Sequence, residues 1–357
     1  MTLVTLAQVL EPAVRDGYAV PGLVCLGWED MRAYVAAAEA ERAPVILQAG
    51  PGCRAHTPLP ILGRMFRHLA EAASVPVVAH LDHGYTLDDC RAALDAGFTS
   101  VMIDGSGLPL DQNIALTAAA ADLAHAAGAS CEGEIGVVGY AGGAASTGTD
   151  PDEAARFARE TGVDAMAISV GNLHLQQGPG EGLDLPRLRD IAALTTVALV
   201  LHGGSGIAAA QRASLAASGR IAKVNIGTEL RQAFGLALRD SLARDGDRFD
   251  RIAILRDTEA PVAAAARAAI RSLGASGSEL FGWSNIDTLV KINTATAAYT
   301  TVGPFGFATP TGGQDGMDVD PATGTIWAIS EEENRTYTLN GSTGLASIQA
   351  TSLTCDG

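Results

Sequence analysis

Eight short apolar runs, each followed by an Ala- and Leu-rich stretch with helical spacing, constrain this chain more than any other feature. The runs fall at 19–26, 44–49, 76–81, 99–103, 129–135, 165–170, 197–201 and 221–226. Between them the helical stretches include 29–40, 58–73, 87–96, 110–127, 152–161 and 208–218. A first helix is expected over 2–16, with Leu6, Val9, Leu10 and Val14 on one face. Strict alternation of β and α calls for a parallel sheet covered by helices, because each crossover must return to the same edge. Eight such units within roughly 230 residues predict the α/β class and a (β/α)8 TIM barrel. A doubly wound open sheet is the structural alternative. It normally carries a glycine-rich dinucleotide turn after the first strand, and Pro21-Gly-Leu-Val-Cys-Leu-Gly27 is not one. Helical segments at 231–243 and 260–273 would finish the barrel.

At 274–278 the composition changes to Thr, Gly, Asn and Ser. Domain boundaries are therefore expected at 1–275 for the barrel and 276–357 for a small all-β C-terminal extension. The segment beginning at Leu280 has a weak echo at Ile326, and 316–326 reads as strand, turn, strand. Such spacing is that of propeller blades, yet the segment is too short for the four blades a closed propeller needs. It reads as an appended β module for oligomerisation or adhesion, or as a fusion remnant.

A barrel keeps its chemistry at the C-terminal ends of its strands. There the third run ends in Asp82-His83, the fourth in Asp104, and the fifth carries Glu132 and Glu134. His174 follows the sixth run and His202 the seventh. Asp82 and His83, adjacent in extended chain, are expected to point to opposite sides, one to a metal and one to substrate. Any one of these His alone reads as a core or capping residue. His83, His174 and His202 at one rim, with Asp104 and Glu134 nearby, instead suit a divalent transition metal such as Zn2+. Gly203-Gly-Ser-Gly206 and Asn225-Ile-Gly-Thr228 follow the seventh and eighth runs, where barrels bind phosphate through backbone N–H groups. His56, His68, His80 and His125 are given no role.

The bulk properties set limits on partners. With 47% hydrophobic residues among 357, the chain can bury a large core. A net charge of -16 argues against nucleic acid or an anionic membrane as partner. There is no signal-peptide pattern at Met1 and no apolar run approaching a membrane span. The five cysteines, Cys25, Cys53, Cys90, Cys131 and Cys355, show no CxxC spacing, and four of them read as buried thiols. That usage fits a reducing cytosol and a cytoplasmic protein.

Several motifs occur in register over about residues 1–275: His80-Leu-Asp-His-Gly84, Gly97-Phe-Thr-Ser-Val-Met-Ile-Asp-Gly-Ser106, Asn113-Ile114, Glu132-Gly-Glu-Ile-Gly136, Gly171-Asn-Leu-His174, His202-Gly-Gly-Ser-Gly206 and Lys223-Val-Asn-Ile-Gly-Thr-Glu-Leu230. On these the chain resembles the class II, metal-dependent ketose-bisphosphate aldolases, in the fructose- and tagatose-bisphosphate branch. The resemblance implies that His83, His174 and His202 hold Zn2+ or another divalent metal, with Asp104 and Glu134 at an alternative or second position. It implies Asp82 as proton donor, and Gly203, Gly204, Ser205, Asn225, Ile226, Gly227 and Thr228 as binding dihydroxyacetone phosphate, with a monovalent cation such as Na+ or K+ nearby. The implied reaction makes or cleaves the C3–C4 bond of fructose or tagatose 1,6-bisphosphate through a Zn-stabilised enediolate. Asp82 would take the C4 hydroxyl proton in cleavage and return it in condensation. A homodimer or homotetramer is implied as well. No Schiff-base lysine is needed; the barrel's one lysine is Lys223, and the other, Lys291, lies in the extension.

Four departures bear on the reaction. Val24 stands where the family commonly has Asn, and Gly50 where it has Ser near the substrate phosphate. The loop 137–146 lacks the usual carboxylates, leaving Glu132, Tyr140 or a water as substitutes. Leu175 replaces the Gly after the sixth-run His. Two alternatives follow: an aldolase for another ketose phosphate, or a catalytically impaired metal-binding barrel that acts as a binding or assembly protein.

Overall fold

The structure is a computed structural model that describes residues 2–143, 145–176 and 182–276 and seven strands between 280 and 350. The chain runs α1 (Leu6–Asp16), β1 (Val20–Val24), α2 (Trp28–Ala40), β2 (Val45–Ala49), α3 (Pro51–His56), α4 (Leu59–Ala72) and β3 (Val77–Gly84). It continues α5 (Leu87–Asp95), β4 (Ser100–Ile103), α6 (Leu110–Ala126), β5 (Ser130–Ile135), β6 (Gly139–Tyr140), α7 (Pro151–Thr161), β7 (Ala165–Ile168) and β8 (Leu173–His174). Then follow α8 (Leu185–Leu194), β9 (Ala198–Leu201), α9 (Ala209–Ala217), β10 (Ile221–Ile226), α10 (Thr228–Arg244) and α11 (Arg251–Ser272).

Strands β1, β2, β3, β4, β5, β7, β9 and β10 close into one barrel, and all pair in parallel. Each of the eight apolar runs falls on one of them, and β3 continues past its run to Gly84. β6 and β8 are two-residue additions that pair with each other above the rim. The first helix starts later than its periodicity suggests. Thr5 accepts from the Gln8 amide and Gln8 accepts from the Thr5 amide, so the reciprocal cap fixes the first turn there. The residues before it stay extended, with the Val77 amide donating to the Thr2 carbonyl at 2.7 Å.

The barrel interior is layered by the two-residue period of its strands. At the bottom, Leu6, Val9, Leu10 and Ala13 of α1 pack on Val20, Ile46, Val78, Ala165, Val200 and Ala222, plugging the N-terminal end. Two residues further along β2 and β3 the inward positions become polar, as Gln48 and His80. Above them lies the C-terminal rim. A larger apolar shell fills the space between strands and helices, Phe66, Phe98, Phe157 and Tyr34 among its members. Cys25, Cys53, Cys90 and Cys131 are free buried thiols, as expected.

Internal contacts divide the chain at Gly277–Ser278. In the second unit, β11 (Leu280–Ser284), β12 (Thr288–Ile292) and β13 (Tyr299–Pro304) form a three-stranded antiparallel sheet. A four-stranded meander of β14 (Gly316–Val319), β15 (Ile326–Ser330), β16 (Arg335–Leu339) and β17 (Ala346–Ala350) follows. The hairpins β11–β12 and β15–β16 are the two segments that echo each other in sequence. Cys355 and the turn at 320–325 lie outside the described residues. No helix among the described residues is long and apolar enough to cross a membrane.

Candidate metal centre

The rim is organised by an irregularity at the end of β3. Its register against β4 shifts between Leu81 and Gly84, and His83 adopts φ 52°, a left-handed conformation that disfavours a side chain. Strict alternation therefore fails here. Asp82 and His83 turn to the same rim, with Asp82 Oδ1 3.8 Å from His83 Nε2. Neighbours hold the strained residue in place. Asp104 Oδ2 lies 3.0 Å from His83 Nδ1. The Arg54 guanidinium, on α3, donates to the Asp82 carbonyl at 2.6 Å, the His83 carbonyl at 3.0 Å and the Ala49 carbonyl at 3.0 Å.

His174 is presented by β8, whose pairing with β6 is extended by the Ala141 amide donating to the His174 carbonyl at 3.0 Å. Asn172 joins this segment to the next strand end. Its Nδ2 donates to the His202 carbonyl at 3.1 Å, while its Oδ1 accepts from the Val170 amide. His202 follows β9, and its ring is fully buried.

The three imidazoles converge. Their ring centroids are 4.9 Å apart for His83–His202, 5.3 Å for His83–His174 and 5.5 Å for His174–His202. One ligand atom from each lies within 4.8 Å of the others, and His83, Asp104 and Glu134 form a second such group. Both candidate sets share His83. Two buried atoms here lack any hydrogen-bond partner, His202 Nδ1 and Glu134 Oε2, which lie 3.6 Å apart. An orphaned imidazole lone pair beside carboxylates is what a bound cation would complete.

The electrostatics agree. Burial opposes charge on His83, but Asp82, Asp104 and Glu134 outweigh it and raise its pKa to about 9. Burial pushes Glu134 up to about 8. Asp104 is also penalised by burial, yet its hydrogen bond with His83 prevails and holds it at about 2. His174 falls to about 4 and His202 well below its ordinary value, through burial first and then the nearby His83 charge. Two carboxylates, Asp82 and Asp104, with Glu134 beside them, make this a place for positive charge, and His174 and His202 stay neutral, the form that ligates metals.

A cavity of about 150 Å³ opens above the imidazoles. Asp82, His83, His174, Gly203, Ser205, Asn225, Gly227 and Thr228 line it. Gly204 and Ile226 do not; they are buried behind it. A Cβ on Gly204 would meet Val224 Cγ1 at 2.3 Å, so that glycine serves packing. Gly203 has φ 66° and leads into a 3-10 turn, Gly204–Gly206. α10 begins at Thr228, so its N-terminus lies at the same wall, where the Glu229 N–H donates to Ser205 Oγ at 3.3 Å. Asp82 Oδ1, Asn225 Oδ1 and both polar atoms of Gln48 are buried without partners close to this cavity. Gly22 leaves room for them: a Cβ there would meet Gln48 Oε1 and Asn225 Oδ1.

Sequence reasoning gave no role to Arg231, Arg54, Asn172 or Gln48. Arg231 lines the cavity as a cation, and its signal was the three-residue helical spacing from Thr228. The departures noted above lie here too: Val24, Gly50, Tyr140 and Leu175 all line the cavity. Leu175 occupies φ 57°, where the family's glycine would be unstrained. Tyr140 stacks on His174 with centroids 4.9 Å apart. Burial, then Asp104 and Glu134, raise its phenol above the ordinary value, so it is poorly disposed to lose a proton. Glu132 is not available as a base. It is fully buried, 2.6 Å from Lys223 Nζ and 3.1 Å from His202 Nε2. A larger hollow of about 620 Å³ lies at the opposite, N-terminal end around Arg159 and Arg220, without a carboxylate or imidazole in its lining.

Residues 4–278 match the family described as fructose-bisphosphate aldolase class-II. A fructose-bisphosphate aldolase of Geobacillus stearothermophilus is 36% identical over 287 residues, 78% of this chain and 99% of that protein. A 6-phospho-5-dehydro-2-deoxy-D-gluconate aldolase of Bacillus velezensis is 35% identical over 78% of this chain and 97% of its own length. Among solved structures, the YdjI aldolase from Escherichia coli K12 superposes with a TM-score of 0.68 at 31% identity, over 77% of this chain and 98% of that one.

Proposed function

From the premise that the chain belongs to the class-II fructose-bisphosphate aldolase family, we propose that it makes or cleaves the C3–C4 bond of a ketose (bis)phosphate, such as fructose or tagatose 1,6-bisphosphate. The products of cleavage are dihydroxyacetone phosphate and an aldehyde. The observation that carries this reading is the convergence of His83, His174 and His202 beside the unpartnered Asp82 carboxyl.

In this reading His83, His174 and His202 hold Zn2+, and Asp104 and Glu134 offer an alternative position through His83. A divalent ion there supplies an electrophile toward the ketose oxygens. Asp82 Oδ1 takes the C4 hydroxyl proton in cleavage and returns it in condensation. The phosphate of the dihydroxyacetone half lies on the backbone of Gly203–Ser205 and Asn225–Thr228, with Ser205 and the α10 N-terminus as donors. A monovalent cation sits nearby. Among the described residues, Arg231 supplies a cationic side chain at this wall. Lys223 is sealed in the interior against Glu132, which leaves no accessible lysine for Schiff-base chemistry among the described residues of the barrel. The reading also takes the protein to be a cytoplasmic homodimer or homotetramer.

A second substrate class is favoured by specific residues. Val24 and Gly50 stand in the cavity wall where the family commonly has polar side chains, and the relatives named above act on different sugars by name. Another ketose phosphate therefore stands as the alternative. A catalytically impaired binding or assembly barrel is the reading favoured by the carboxylate-free loop 137–146. One experiment separates them: metal analysis of the purified protein, with a screen of ketose mono- and bisphosphates before and after chelation. Chelator-sensitive release of dihydroxyacetone phosphate is expected. A fully metal-loaded protein that turns over no sugar phosphate would establish the binding reading instead.

A further inference from the structure

Beneath the imidazoles lies a polar cluster that the cleavage chemistry does not use. Glu132, Lys223, His80 and Ser100 are all fully buried, where a barrel interior ordinarily packs branched apolar side chains. Burying an ion pair rarely stabilises a fold over apolar packing. The cluster therefore calls for another explanation.

We propose that Glu132, anchored by Lys223, is a positioning residue that sets the tautomer of His202 so that Nδ1 presents its lone pair to the metal site. The proposal rests on the metal reading of His83, His174 and His202. His202 stands between two glutamate side chains. Glu132 Oε1 is 3.1 Å from Nε2, and Glu134 Oε2 is 3.6 Å from Nδ1. With the ring hydrogen on Nε2, His202 donates to Glu132 and Nδ1 is open to a metal. With the hydrogen on Nδ1, it would turn toward Glu134 and the site would close.

The cluster selects the first arrangement. Lys223 Nζ donates to Glu132 Oε2 at 2.6 Å, and ammonium has no lone pair to offer. Both carboxylate oxygens of Glu132 must therefore accept, one from Lys223 and one from His202. Lys223 Nζ also lies 3.4 Å from His80 Nε2, and His80 Nδ1 lies 2.8 Å from Ser100 Oγ. With His80 accepting at Nε2 and donating at Nδ1 to Ser100, the hydrogen bonds of the cluster all run in one consistent direction. Carboxylates that orient a ligating His in this way are a general means of fixing ring and tautomer.

The test exploits donor matching. In Glu132→Gln the amide has one acceptor for two donors. If it serves Lys223, its NH2 faces His202 Nε2 and drives the ring hydrogen to Nδ1. Zn2+ affinity, read by competition with a chromophoric chelator, should fall about 10- to 100-fold. Adding Lys223→Met removes the competing ammonium. The Gln oxygen can then accept from His202 while its NH2 turns to His80 Nε2, and most of the lost affinity should return. Ser100→Ala loosens the same cluster without touching the Glu132–His202 bond, so it should leave Zn2+ affinity unchanged. A folded Glu132→Gln protein with wild-type Zn2+ affinity, or a double variant no tighter than the single, would overturn the proposal. Should the variants fail to fold, nitrogen NMR of histidine-labelled, metal-free wild-type protein decides it. A hydrogen on His202 Nε2 is expected, and one on Nδ1 refutes the proposal. Failure of the wild-type chain to bind Zn2+ would instead sink the metal reading, and the NMR result would still stand on its own.

Discussion

Two polar clusters lie one above the other in the same barrel, and they differ in how their members are paired. In the lower cluster, His80, Ser100, Glu132 and Lys223 are linked to one another; Gln48, level with His80 on the neighbouring strand, stays outside it and lies toward Asn225 with both polar atoms unpartnered. In the upper cluster, Asp82, Glu134, His202 and Asn225 each leave an atom without a partner. Buried polar groups almost always find hydrogen bonds, so a cluster of exceptions points to something bound. Closure of the lower cluster is structural, and the gaps of the upper cluster are where chemistry is expected. His202 belongs to both, with one nitrogen in each.

The largest effect that would break this contrast concerns the upper cluster. His174→Ala should remove bound metal and turnover together, as metal analysis and assay would show. Its ring is neutral near pH 7 because burial holds its pKa at about 4, so losing it should cost the metal-free fold little. A variant that keeps metal and activity would mean that the three rings do not act as a set. Next comes Asp82→Asn. It keeps the shape of the side chain and removes the base, so turnover should fall about a hundredfold to ten-thousandfold while metal content stays unchanged. Loss of metal instead would make Asp82 a ligand and move the proton transfer elsewhere.

The lower cluster should respond in stability. Lys223→Met leaves the Glu132 carboxylate buried without its cation, at an expected cost of about 3–5 kcal/mol by denaturant unfolding. The double variant with Glu132→Gln should recover much of that, since it removes the stranded charge. Equal losses in both would show that lysine packing, and not pairing, holds the cluster together.

Much of the barrel was legible in sequence, and its polar interior was not. Parallel strands buried on both faces read as continuous apolar runs, so 165–168 and 198–201 stood out. The rim was legible because Asp82, His83, Asp104, His174 and His202 all sit where a strand ends. The side on which Asp82 falls was not, because the break in register at His83 depends on Arg54 and Asp104 bracing it from other elements. His80 was given no role, and its neighbour Lys223 comes from the last barrel strand, adjacent only once the barrel has closed. Arg231 was missed for the same reason: a surface helix position becomes a cavity wall only after β10 meets β1.

A third polar cluster, on the outside of the barrel, sharpens the contrast because solvent reaches it. Glu41, after α2, accepts from Arg267 Nε at 2.6 Å, Arg271 Nε at 2.9 Å and Ser276 Oγ at 2.9 Å, tying α11 back to α2. Burial works against its charge, but the Arg271, Arg267 and Ser276 hydrogen bonds outweigh it and lower its pKa. A carboxyl lowered in the folded state stabilises the fold above its ordinary value near 4.5, and that contribution is lost as pH falls through the lowered value. Both arginines are partly exposed, so Glu41→Gln should cost only about 1 kcal/mol at pH 7. The gap between wild type and variant should narrow below pH 4.5 in parallel urea titrations. A gap that stays constant down to pH 3 would mean that Glu41 contributes by shape and not by charge, and closure of the barrel by α11 would then rest on apolar packing alone.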